Sequence, residues 1–180
     1  LATYPLYDLE VLYQYQGRLD ESWEYFSQAA NVYEQIGYQG GLSAALLNLG
    51  VLKDRRGDFD AAIDYFEKAR IISERIGEEL AISYTEFSLG ATYYKMEDFR
   101  KAESYLKNAY KRMKRINAKG YFGYVFAFLS SLYSSLHNCE YAVRIAYLHV
   151  QNMKKINSDV ENGRTYLSVA RALSLCQDLS

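Results

Sequence analysis

Few residues in this chain have the chemistry to bind a metal or move a proton, and their spacing does not bring them together. His137 and His149 stand twelve positions apart with no third ligand at metal spacing. They occupy positions where a turn glycine and a packing alanine would otherwise stand, so both read as structural or surface residues. Cys139 and Cys176 form neither a disulfide framework nor a metal-ligand pattern, and are expected to be two small buried residues in a reducing compartment. The adjacent carboxylates Asp20-Glu21 and Glu78-Glu79 read as helix starts, where negative charge suits the positive end of the helix dipole. Gly37, Gly40 and Gly41 lack the lysine and the strand of a phosphate loop. No nucleophile has a base at a fixed offset. The chain is therefore expected to be non-catalytic and to carry no cofactor and no metal. One basic cluster, Lys107, Lys111, Arg112, Lys114, Arg115 and Lys119, reads first as a favourable C-terminal helix turn and second as a patch for an acidic partner.

The elements that would position any site are helices. A single proline, Pro5, in 180 residues leaves long stretches uninterrupted. The hydrophobic share of 49% indicates a folding sequence. With 21 basic and 22 acidic residues the net charge is -1, so direct nucleic-acid binding is not expected, nor does any apolar run approach the ~20 residues of a membrane span. The dominant signal is a repeat of 40 residues. Ile36, Ile76, Ile116 and Ile156 recur at that spacing, as do Leu49, Leu89 and Leu129. Gly50 and Gly90 are followed in their column by Ser130 and Ala170, and Phe66 and Leu106 by Ala146. Within each period apolar residues fall three and four apart, the spacing of a helix face. Asp58, Asp98 and Asn138 share a column suited to capping the second helix of a pair, and Gly37, Gly77, Asn117 and Asn157 close each period. The spacing thus predicts four antiparallel helix pairs, at about 3–42, 43–82, 83–122 and 123–162, and a terminal or capping helix at about 163–178, all in a single domain over 1–180. Because the chain opens on Leu1, it is expected to be a fragment or a processed form.

The motif Leu46-x-x-Leu49-Gly50, followed by Gly57-x-Phe59, Ala62, Phe66 and Ala69, resembles the tetratricopeptide repeat, and Leu89-Gly90, Tyr93, Phe99, Ala102, Leu106 and Ala109 repeat the resemblance. The second and third units match best. The first departs at Glu10 and Ser22, and the fourth at Ser130, His137 and His149. The usual period is about 34 residues, so these units are long. Long units of this kind are similar to those of kinesin light chain, of cell-polarity adaptors, of bacterial Rap-type peptide sensors and of maltose-type activator sensor domains. The resemblance implies an all-α, right-handed superhelical solenoid whose first helices line a concave groove, and a protein or peptide as partner.

On the groove track the resemblance places Tyr7, Val11, Leu47, Asn48, Val51, Arg55, Tyr84, Phe87, Tyr94 and Tyr124. So aromatic a face suggests a surface for an apolar or aromatic partner segment, and Asn48 resembles the asparagine that holds a bound peptide's backbone. Of the positions of a chaperone-tail clamp only Asn48 fits, which argues against that ligand. The expected function is an interaction module in the cytoplasm. The alternative is a regulatory sensor domain for a small peptide or metabolite, and a third reading is self-association through Tyr4, Tyr7, Leu173 and Leu175.

Overall fold

The computed structural model describes residues 19–153 and residue 174. Seven α-helices follow in order: α1 (Leu19–Gln35), α2 (Gln39–Arg55), α3 (Phe59–Ile76), α4 (Glu79–Lys95), α5 (Phe99–Arg115), α6 (Phe122–Ser135) and α7 (Cys139–Met153), with a 3₁₀ turn at Lys119–Tyr121 before α6. No strand occurs among the described residues. The first helix of the first pair, with Pro5, and the helix expected at 163–178 lie outside the described residues. Helices α2 and α4 begin at Gln39 and Glu79, ahead of the repeat starts at 43 and 83, because the residues added to the usual period lengthen the helices. The chain divides into two compact units, 1–92 and 93–180, with the boundary inside α4.

The helices end on a regular beat. Backbone φ is positive at Gly37, Gly57 and Gly77, and again at Glu97, Asn117 and His137, so a left-handed residue recurs every 20 positions. Each closes a helix in the same way: Tyr38 N–H donates to Tyr33 O (2.8 Å), Asp98 N–H to Tyr93 O (3.0 Å) and Asn138 N–H to Tyr133 O (2.9 Å). Glycine adopts this conformation without penalty, whereas Glu97 and His137 adopt it against the clash of Cβ with the following carbonyl. His137 is therefore a turn residue.

The capping column is only partly realised. The Asp98 carboxylate accepts from Lys101 N–H (3.1 Å), and Asn138 Oδ1 from Tyr141 N–H (3.3 Å). Asp58 makes no such cap; its carboxylate accepts from Lys53 Nζ at 2.9 Å.

In unit 1 the core joins α1, α2 and α3 around Ala30, Ala45 and Leu49, with Ala62, Phe66 and Ala69 buried on α3. A Cβ built on Gly50 would lie 2.5 Å from the Phe66 ring, so the glycine is what lets α2 approach α3. A buried hydrogen bond between the Ser43 and Ser73 hydroxyls (2.6 Å) ties the same two helices. In unit 2 the Gly50 column holds Ser130, whose hydroxyl donates to Ala142 O (3.3 Å), and the Phe66 column holds the buried Ala146. Where the large ring is gone, a larger residue fits opposite. Tyr133 Oη donates to the Glu103 carboxylate, which also accepts from Lys107 Nζ (2.6 Å), joining α6 to α5.

Cys139 is disulfide-bonded, which corrects the expectation of two reduced thiols; Cys176 lies outside the described residues. A disulfide is stable only where the surroundings do not reduce it.

Candidate functional site

The expected groove track runs along the first helices of the pairs, and each unit carries a part of it. Positions four apart lie on one helix face, which is why Leu47, Val51 and Arg55 share a face of α2. Tyr7 and Val11 lie outside the described residues. In unit 1 the structure closes over Leu47, Asn48, Val51 and Tyr84, which keep 5%, 4%, 7% and 2% of their surface. Arg55 and Phe87 are half-buried. Between α2 and α4 the buried Thr92 hydroxyl donates to the Asp54 carboxylate (2.8 Å), one turn from Val51.

Asn48 is the most unusual of these groups. Its side-chain N–H donates to Ala44 O at 3.0 Å, one helical turn back on α2. Its Oδ1 is buried and has no hydrogen-bond partner among the described residues. A buried carbonyl left unmatched costs free energy on the order of 1–3 kcal/mol.

In unit 2, Tyr94 and Tyr124 are half-buried. Tyr94 packs edge-on to Phe128 at 5.9 Å between centroids and leans on Phe99, while its hydroxyl lies 3.3 Å from Ser135 Oγ. Such ring pairs hold an aromatic in one orientation while leaving part of its face open. Tyr124 stands one period after Tyr84, yet only Tyr84 is buried.

The basic cluster is not a uniform patch. Lys107 is held by Glu103 and Tyr133, which push its pKa up; the same carboxyl is held below its ordinary range by the Lys107 ammonium and the Tyr133 hydroxyl. Lys111 and Lys114 are exposed on α5. Burial, with the neighbouring Glu103 carboxylate, raises the Tyr133 pKa. The link was half-legible in the sequence, since Glu103 and Lys107 stand four apart on one helix, but the tyrosine reaching it from α6 was not. Among the described residues no group of three or more His, Cys, Asp and Glu could hold a metal ion. No described helix is long and apolar enough to cross a membrane. His149 falls in α7, its side chain outside the described residues.

Helix pairs with a Gly or Ser column facing Phe or Ala, closed by left-handed turns, define a class of helical repeat. The tetratricopeptide repeat profile matches residues 10–75 and 55–115, and the chain belongs to the tetratricopeptide repeat family. Among solved structures it is similar to BtubC (BKLC) from P. vanneervenii, with a TM-score of 0.69 at 18% identity over 94% of this chain and 78% of that one, a likeness of fold. None of the curated proteins matches. The family generally mediates protein–protein interaction through a non-catalytic fold.

Proposed function

We propose that this chain is an interaction module that holds a partner peptide or protein segment on the groove-track faces of its first helices and catalyses no reaction. Residues 1–180 serve this role as one repeat domain. The observation that carries it is the set of rings left half-open on that track, Phe87 in unit 1 and Tyr94 and Tyr124 in unit 2, in a fold whose family binds proteins. An aromatic anchor held by neighbouring rings, as Tyr94 is by Phe99 and Phe128, loses little side-chain freedom on binding, which makes it an efficient contact. In unit 1, the half-buried Arg55 supplies a planar cation on the same track, and Asn48, closed over, belongs to the packed layer beneath it. Leu47, Val51 and Tyr84 enter the proposal as the packed support beneath these contacts.

The test is affinity capture with mass spectrometry, comparing the native chain with Phe87→Glu and Tyr94→Glu, each checked for unchanged helicity by circular dichroism. A partner recovered by the native chain and lost by both variants is the expected result. Equal recovery by all three would remove the track from the binding surface.

A further inference from the structure

Unit 1 has a second concave feature, away from the groove track. A cleft of about 550 Å³ opens between α1 and α3, with α2 beneath it. Its floor is the stripe Leu42, Leu46 and Leu49, spaced four and three residues along α2 over about 10 Å of one helix face, with Leu42 and Leu46 half-buried and the core residue Leu49 closing its deep end. Ile72 of α3 forms part of one wall.

The cleft is open because the α1 side is lined by small residues. Ser27, Ala30 and Asn31 face it. One period later the same columns on α3 hold Glu67, Arg70 and Ile71, and Arg70 spans Glu67 and Glu74 along the helix surface, with 2.8 Å to the first. The first repeat lacks that filling bridge.

The charges at the rim decide what fits. Lys68 is matched by Asp64 at 2.6 Å. Glu34, exposed in the last turn of α1, has no ion pair among the described residues. That turn carries no basic residue, so the negative end of the helix dipole adds to the Glu34 charge instead of being offset. An apolar floor two turns long with an unmatched negative rim complements a positively flanked apolar stripe.

We propose that this cleft docks an amphipathic helix of a partner protein, seating aliphatic side chains at i, i+4 and i+7 on the leucine stripe and setting a Lys or Arg against Glu34. The volume lies within the range of ligand-binding clefts, and helix-in-groove recognition uses this spacing of anchors. The site is separate from the groove track, so one chain holds two partner segments at once.

The experiment is a ¹⁵N–¹H correlation titration of the full chain with a synthetic alanine-rich helical peptide of about 18 residues bearing that leucine stripe and a flanking arginine. A second peptide carries glutamate in place of the arginine. The expected result is shifts confined to Ser27–Glu34, Leu42–Leu49 and Lys68–Ile72, with the glutamate peptide about two- to fivefold weaker, the range of an exposed ion pair. Asn31→Trp, which fills the cleft from an exposed position, abolishes the shifts, Glu34→Lys reverses the peptide preference, and Phe87→Glu changes neither. No shifts, shifts that survive Asn31→Trp in a folded protein, or a preference that ignores Glu34→Lys would each overturn the proposal. A dimer in sedimentation that Asn31→Trp dissolves would assign the cleft to a second copy, also overturning it.

Discussion

Replacing Glu97 by glycine will stabilise this protein, although it deletes a whole side chain. Glu97 holds φ at 62°, closing α4 with its N–H on Tyr94 O (3.1 Å), and its side chain is exposed. An L-residue in this conformation costs about 1–2 kcal/mol. Glycine removes that cost but adds freedom to the unfolded chain, worth about 0.4–1 kcal/mol in the other direction. The net gain is about 0.5–1 kcal/mol. Gly77→Ala is the mirror experiment. Gly77 has φ 74°, and a Cβ there would meet nothing within 4 Å, so any loss is conformational and not steric. The strain there outweighs the freedom removed from the unfolded chain, and the expected loss is about 0.5–1 kcal/mol. Urea unfolding followed by circular dichroism, with the m-value monitored because repeat proteins depart from two-state behaviour, reads both. A loss of stability in Glu97→Gly at unchanged m-value would refute the reasoning, because it would mean the carboxylate contributes more than the backbone strain costs.

Other outcomes follow from the packing and the charges. Gly50→Ala drives a methyl to 2.5 Å from the Phe66 ring and should cost about 1–3 kcal/mol by overpacking, with partial recovery in Gly50→Ala, Phe66→Leu; denaturant midpoints test both. A double-mutant cycle of Ser43→Ala and Ser73→Ala should give a coupling of about 1 kcal/mol, since Ser43→Ala strands the Ser73 hydroxyl while Ser73→Ala leaves Ser43 its bond to Ala69 O (3.0 Å), whereas zero coupling would show that the pair is not formed in solution. The Glu103 carboxyl titrates below its unfolded value of about 4, so its contribution is present above that pH and fades as pH falls through the depressed folded value; on acidification the native chain should lose more stability than Glu103→Gln, the two converging at low pH. Tyr133→Phe should lose about 1 kcal/mol in thermal unfolding at neutral pH by removing the donor to Glu103.

The helices, their pairing and most turn positions could be read from the sequence because the physics that sets them is local. Apolar spacing, capping residues and left-handed closers all act within a few positions, so the 40-residue beat and the Gly37 and Gly77 turns were legible in advance. Asp58 shows the limit: its column predicts a cap, but its carboxylate pairs with Lys53 five residues back. The groove track shows a deeper limit. Residue spacing tells which side chains share a face but not how closely the next helix approaches, so Asn48 and Tyr84 could not be told from Phe87 and Tyr94 until neighbouring helices were in place. The cleft over Leu42, Leu46 and Leu49 was hidden for the same reason, since it exists through what Ser27, Ala30 and Asn31 fail to fill. Nothing in the cysteine spacing signalled that Cys139 is disulfide-bonded.

The glycine–phenylalanine fit of one repeat and the serine–alanine fit of another bear on how such a chain can be rearranged by recombination. Gly50 and Phe66 belong to one helix pair, as do Ser130 and Ala146, and the two members of each couple lie on either side of an internal turn. Duplication, deletion or swapping of whole pairs carries both members together and leaves the fit intact. A crossover inside a pair, at the turn of Gly57 or His137, would set a serine hydroxymethyl against a phenyl ring in one product and leave a void between glycine and alanine in the other. The heritable cassette of this fold is the complete helix pair, and its permitted breakpoints are the turns that join one pair to the next.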